Sequence, residues 1–194
     1  MTAVRHEDGI CRCGWCGTDP LYVAYHDTEW GTPVHDDRAL YEHLTLDCFQ
    51  AGLSWRTILH KRDNFRAAFE GFDPERIARY GKRDLRRLLA DAGIVRNRLK
   101  VEAAVANARA FLWIAERVGS FDEYLWSFVG GQPLRGPRAQ GWAQIPTSSR
   151  ESDALSLDLK NKGFRFVGTT VCYAFMQAIG MIDDHLAACY RSRA

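Results

Sequence analysis

The chain of 194 residues fits one domain, or one domain with a small lobe, and is long enough to bury a real core. Its hydrophobic content of 46% and charged content of 26% are ordinary for a globular protein, and a net charge of +2 is too small to announce nucleic-acid binding by itself. Met1 to Ile10 carries charges and no apolar core, and the longest uncharged run, Phe166 to Ile182, is interrupted by glycines, threonines and Gln177, so neither a signal peptide nor a membrane span is expected. A cytoplasmic protein follows, whose six cysteines read as metal ligands or buried thiols more than as disulfides.

Residues 1 to 12 are expected to form an extension, and the segment from there to about Pro33 is rich in Gly, Asp and aromatics without a clean period. It predicts an irregular arm held by contacts and not by helices of its own. From Asp36 the pattern turns helical, with Asp36 as N-cap and Leu40, Leu44 and Cys48 facing a core. A break at Gly52 precedes Ser54, which caps a helix carrying Ile58 and Leu59, and Asp73-Pro74 places a cap before a proline at the first helical position. Leu85, Leu88 and Leu89 continue the period to Gly93, and Val101, Val105, Ala108 and Leu112 mark a long helix between Ile94 and Val118. Between Arg76 and Lys100 basic residues far outnumber acidic ones, which reads equally as a solvated helical face or as a phosphate-tracking surface. Phe121 to Phe128 predicts a short aromatic helix, Gly130 to Ile145 a loop, and Ser152 a cap for a helix through Leu155 and Leu159. No alternating strand pattern of useful length occurs, so the fold class is all-α, a helical bundle with the arm packed on it.

The stretch from Gly163 to Cys189 carries the chemistry. Gly163 and Gly168 bracket a turn followed at once by Thr169 and Thr170, and such a turn at a helix N-terminus suits an anion, a phosphate above all. His185 and Cys189 are four apart, the spacing that puts two ligands on one helix face within reach of a single metal ion. Three blocks stand out: Cys13-Gly14-Trp15 through Glu29-Trp30-Gly31, Gln50-Ala51-Gly52-Leu53-Ser54-Trp55, and Gly163 to Gly168 continuing through Tyr173, Gln177 and Asp184-His185. Together they resemble the helix-hairpin-helix DNA glycosylases, in the form found in the 3-methyladenine DNA glycosylase I family. The resemblance runs from about Cys13 to Cys189 and implies a single glycosylase domain over residues 13–194, with the arm at 13–33.

The resemblance implies hydrolysis of the N-glycosidic bond of 3-methyladenine in alkylated double-stranded DNA, with the base flipped into a pocket, by a monomer. Trp15, Tyr22, Tyr25, Trp30 and Trp55 correspond to the family's pocket, with Tyr25 and Asp47 reading the base and Trp55 stacking on it. The family has Glu where this chain has Asp47, and one methylene less withdraws the carboxylate by about 1.5 Å. A lesion-sensing DNA-binding module of weak or altered base specificity is therefore the competing reading. Gln50, Gly52 and Leu53 resemble the intercalating loop, and Gly163, Gly168, Thr169 and Thr170 the DNA-backbone contact.

Cys13, His26, His185 and Cys189 form a closed set of two thiolates and two imidazoles, that of one structural zinc per chain pinning the arm to the last helix. Cys11 and Cys16 compete as sulfur ligands, and the resemblance favours Cys13. Asp183 occupies the position, two residues before His185, where many helix-hairpin-helix glycosylases keep a catalytic aspartate and the resembled family usually has Asn, so either an electrostatic role toward the sugar or a helix N-cap role is open to it. No lysine lies between Gly163 and Cys189, and no cysteine follows Cys189, which argues against a Schiff-base lyase and an iron–sulfur loop.

Overall fold

In the computed structural model, which describes residues 1–193, ten α-helices make up the body of the chain, as the helical periodicity predicts. They are α1 (Pro20–Thr28), α2 (Asp37–Gln50), α3 (Trp55–Leu59), α4 (Arg62–Ala68), α5 (Pro74–Ala78), α6 (Lys82–Ala90), α7 (Arg98–Val118), α8 (Phe121–Ser127), α9 (Arg150–Asn161) and α10 (Thr169–Ala178). No described helix is long and apolar enough to cross a membrane.

Local signals fix most of the helix starts. The Asp36 carboxylate accepts from the Ala39 N–H (2.8 Å), Ser54 Oγ from Thr57 N–H (3.2 Å), and Asp73 from the N–H groups of Glu75 and Arg76 ahead of Pro74. Each such cap is worth about 1 kcal/mol. Leu40, Leu44 and Cys48 of α2 are buried, as are Val101, Val105 and Ala108 of α7, so the predicted faces do meet in the core. α7 packs against α2, α5, α6 and α8, while α10 packs on α9 and α2 and brings its N-terminus to the surface.

Four expectations are corrected. The arm is not free of regular structure: β1 (Ala3–Arg5) and β2 (Cys11–Cys13) pair antiparallel, a 3-10 turn covers Gly14–Cys16, and α1 follows. Strands of three residues are too short to show alternation, and Asp19, accepting from Leu21 N–H, starts a helix whose aromatic residues hide its period. Strand β2 also crosses the boundary expected at residue 12. The cap of α9 is Ser149, with Ser152 three residues on completing a reciprocal box.

The largest correction lies after α10. Gly180, at φ +75°, ends the helix, and residues 183–186 have no regular structure before a turn at Ala187–Ala188, so His185 and Cys189 are not on a helix. Backbone pairing with the 134–139 loop explains this: Leu134 N–H donates to Met181 O (2.8 Å), Asp183 N–H to Leu134 O (3.2 Å) and Ala187 N–H to Ala139 O (2.9 Å). Peptide groups engaged sideways in this way are lost to an i to i−4 ladder. On the opposite flank Gly31 N–H donates to Gln177 O and Val34 N–H to Ile179 O, so the end of the arm docks on the end of α10. A Cβ at Gly180 would fall 2.5 Å from the Thr32 carbonyl carbon, so this docking needs the glycine.

Candidate active site

The arm, the end of α2, the start of α3 and one side of α10 enclose a cleft of about 250 Å³. Trp15 enters from the 3-10 turn, Tyr22 and Tyr25 from one face of α1, Trp30 from just beyond it, Asp47 and Gln50 from the last turn of α2, and Trp55 from the first position of α3. All six residues expected to meet the base thus share one cavity. Tyr25 and Trp55 are 5.2 Å apart between ring centroids, Trp15 is 5.2 Å from Tyr22 and 5.0 Å from Trp30, and none of these pairs is parallel. Sequence reasoning missed Trp142, Ala174, Gln177 and Ala178 as lining residues. Of these, Gln177 had a motif to betray it; it is held by its side-chain N–H to Asp184 Oδ2 (2.8 Å), which also accepts from the Tyr173 hydroxyl (2.6 Å).

Asp47 is 3% exposed, and its Oδ2 is buried with no hydrogen-bond partner among the described residues. Burial pushes its carboxyl well above the ordinary 3.8. Tyr25, also 3% exposed, is pushed well up by burial and by the nearby Asp47, so its phenol stays neutral. The indole N–H groups of Trp15 and Trp55 are likewise buried without partners. Such groups normally find one, and several orphans around one cavity mark a place prepared for a polar ligand with apolar faces. The one-methylene shortening at Asp47 does not remove the carboxylate from the cleft wall.

Behind the aromatic wall sits a second cluster. The Cys13 and Cys189 sulfurs and a His26 ring nitrogen lie within 4.8 Å of one another, all buried, and could hold a metal ion. The His185 ring centroid is 5.3 Å from that of His26, and His185 Nε2 is buried with no partner. Each imidazole is braced through Nδ1, His26 by Asp27 (2.8 Å) and His185 by Asp183 (3.0 Å), and each carboxylate is paired in turn, Asp27 with Arg12 and Asp183 with Arg138. Asp183 is spent on this pairing, does not line the cleft and caps no helix. Cys16 points its thiol at the Cys13 carbonyl (3.1 Å), so neither it nor Cys11 belongs to the cluster. The facing Cys13 S–H and then the His26 ring pull the Cys189 thiol below its ordinary range. The cluster also backs the cleft, since Trp15 is 5.3 Å from His26 and Trp30 is 4.6 Å from His185.

Two turns flank the cleft. Ala51-Gly52-Leu53 follows α2 with Gly52 at φ +79°, Leu53 projects 42% exposed, and Lys100 Nζ donates to the carbonyls of Phe49 (2.7 Å) and Ala51. The α9–α10 connection has Gly163 at φ +92° and is tied down by the Asn107 amide, which pairs with both backbone groups of Arg165. No side chain caps α10 at Gly168, and a Cβ there would meet nothing within 4 Å, so the first N–H groups of α10 face outward. Thr169 departs from expectation in one respect, because its hydroxyl is bonded to Asp153 and Ser152, leaving its backbone N–H for an external partner. Among the arginines of the basic stretch, Arg76, Arg79 and Arg98 are engaged with Glu70, Glu75 and Glu102.

A family model described as methyladenine glycosylase matches residues 15–192. The chain belongs to the methyladenine glycosylase family. Two relatives are DNA-3-methyladenine glycosylase 1 of Escherichia coli (strain K12), 51% identical over 92% of this chain and 95% of the relative, and DNA-3-methyladenine glycosylase of Haemophilus influenzae, 43% identical over 92% and 96%. Among solved structures, a crystal structure of 3-methyladenine DNA glycosylase I superposes with a TM-score of 0.89 at 51% identity, covering 92% of this chain and 98% of the other. A Staphylococcus aureus 3-methyladenine DNA glycosylase I, solved to show 3-methyladenine recognition, gives 0.89 at 39% identity over 94% and 96%. The family match omits β1 and β2, although β2 supplies both Cys13 and Arg12.

The buried acid has a measurable signature. With its pKa raised in the fold, Asp47 holds a proton that the unfolded chain releases above 3.8, so stability falls as pH rises from there until the folded carboxyl ionises, by at most about 1.4 kcal/mol per pH unit. Asp47→Asn removes this contribution. Urea midpoints of the parent should decline relative to those of the variant between about pH 4 and 7, and parallel profiles would contradict the burial argument.

Proposed function

We propose that this chain is a monofunctional DNA glycosylase that hydrolyses the N-glycosidic bond of 3-methyladenine in alkylated double-stranded DNA after flipping the nucleotide out of the helix. The observation that carries the reading is Asp47: a buried carboxyl whose Oδ2 has no partner, in the wall of an aromatic cleft with no other carboxyl or basic side chain. The names of the relatives, which are 3-methyladenine glycosylases, support the same substrate.

Alkylation at N3 makes adenine cationic and already a good leaving group, so the protein's task is selection and positioning more than acid catalysis. Aromatic faces favour a cationic base over a neutral one by about 0.5–2 kcal/mol per contact. Trp55 offers the stacking face, and Tyr25 offers a neutral hydroxyl at the base edge. Asp47 ionises against the positive base, and the resulting charge-assisted hydrogen bond is available to alkylated adenine and withheld from adenine. Leu53 occupies the space the nucleotide leaves in the stack, and the open N–H groups of Gly168, Thr169 and Thr170 hold a backbone phosphate, with α9 and α10 as the two arms of a helix-hairpin-helix. A water molecule attacks the sugar carbon and releases a proton to solvent, as the cationic base departs with the electrons of its bond and becomes neutral 3-methyladenine.

The cluster of Cys13, His26, His185 and Cys189 fits a structural zinc ion. The partnerless Nε2 of His185 and the carboxylate-braced Nδ1 of each histidine are what such ligands show. A zinc ion with these four ligands has no open position for water and would supply cross-linking energy, joining the arm to the turn after α10. Asp183, braced by Arg138, orients a ligand in this reading. Metal analysis of the purified protein should find about one zinc per chain, and chelation should lower both the melting temperature and affinity for 3-methyladenine, because Trp15 and Trp30 rest on the ligand rings. Metal-free protein of unchanged melting temperature would remove the zinc assignment.

The activity is tested by single-turnover release of free 3-methyladenine from methylated duplex DNA. The parent protein should release it, and Asp47→Ala should slow release roughly ten- to a hundredfold, the worth of one hydrogen bond to a charged group. Equal rates for the two proteins would contradict the role given to Asp47.

A further inference from the structure

Trp142 has no place in the family motifs, yet its ring lines the cleft, 6.3 Å from Trp15 and 6.2 Å from Trp30 between centroids. It also lines a smaller hollow with Ile145, Thr170, Tyr173 and Gln177, beside the start of α10. The ring therefore borders both the cleft proposed for the base and the region proposed for the phosphate. It is only half-buried, so part of its surface remains open to a ligand.

Its position is set by distant parts of the chain. Trp142 N–H donates to Met1 O (2.7 Å), and Thr2 forms a β-bridge with Gly141. Thr2 O in turn accepts from Gly14 N–H (3.1 Å), where a Cβ would fall 2.3 Å from that oxygen, so a glycine is required beside Trp15 for the N-terminal strand to pass. The opposite flank is held by Ala187 N–H to Ala139 O (2.9 Å) and by Arg138 on Asp183. Two clamps thus fix one aromatic ring at the mouth of a cleft, and one of them, the first 14 residues, lies outside the family match.

We propose that Trp142 is a further binding residue for the flipped alkylated nucleotide, and that the N-terminal hairpin is the device that positions it. The inference rests on the proposed glycosylase reading and adds a specificity determinant to the same pocket. Packing alone would also place a tryptophan against Trp15 and Trp30, so the variants must separate an aromatic face from apolar volume.

The experiment is calorimetric titration of free 3-methyladenine into the zinc-loaded full chain, together with single-turnover excision. W142L keeps apolar bulk without a π face and should bind the base roughly 3- to 30-fold more weakly, while W142F should recover most of the affinity. Deleting residues 1–9, which spares Arg12 and Cys13, should reproduce the W142L loss without altering the tryptophan. W142L with parental affinity overturns the assignment of Trp142, and a truncated chain with parental affinity overturns the role of the hairpin. Parental protein that binds no 3-methyladenine would count against the glycosylase reading itself, a failure distinct from either of these.

Discussion

A buried carboxylic acid with an oxygen left unpaired by the protein is the constraint on which the cleft depends. Leaving Asp47 without a partner costs stability, on the order of 1–3 kcal/mol for a buried unsatisfied group, and nothing in the core recovers it. The acid sits in the last turn of α2, between the fully buried Leu46 and the buried Cys48 and Phe49, so the helix cannot rotate it into solvent without exposing apolar surface. In the proposed reading, a ligand that brings positive charge recovers more of that loss than a neutral one. In that reading, selectivity for a damaged base draws on an unmet hydrogen bond in the protein itself.

The aromatic wall needs an anchor, because α1 is short and the arm around it has little regular structure. The buried cluster of Cys13, His26 and Cys189 lies behind it with His185 alongside, and with the proposed metal bound it would tie the arm to residues near the other end of the chain. Rings of Trp15 and Trp30 lie directly on the two histidines. The pairing continues outward, through Asp27 to Arg12 and through Asp183 to Arg138. The cluster is thus in direct contact with the cleft wall.

Features governed by local chemistry were legible in the sequence: Asp36, Ser54 and Asp73 cap the helices their positions predict. The residues expected in the pocket also converge, Trp15, Tyr22, Tyr25 and Trp30 from the Cys13–Gly31 block, Trp55 from the Gln50–Trp55 block and Asp47 from the helix turn just before it. What the sequence hid depends on partners far away along the chain. His185 and Cys189 have helical spacing, but the backbone there is claimed by the 134–139 loop, and no periodicity records that competition. Strands β1 and β2 are too short to alternate. Trp142 sits in a stretch without pattern and gains its position from Met1 and Thr2.

The account stands on the protonation state of one side chain. Carbon-13 NMR of the Asp47 carboxyl reads it directly, in the protein alone and with 3-methyladenine bound. The resonance should stay at the protonated position well above pH 3.8 without ligand, and should move to the ionised position when the base enters. A carboxyl that titrates at the ordinary 3.8 in the empty cleft, and is unmoved on binding, would contradict the account.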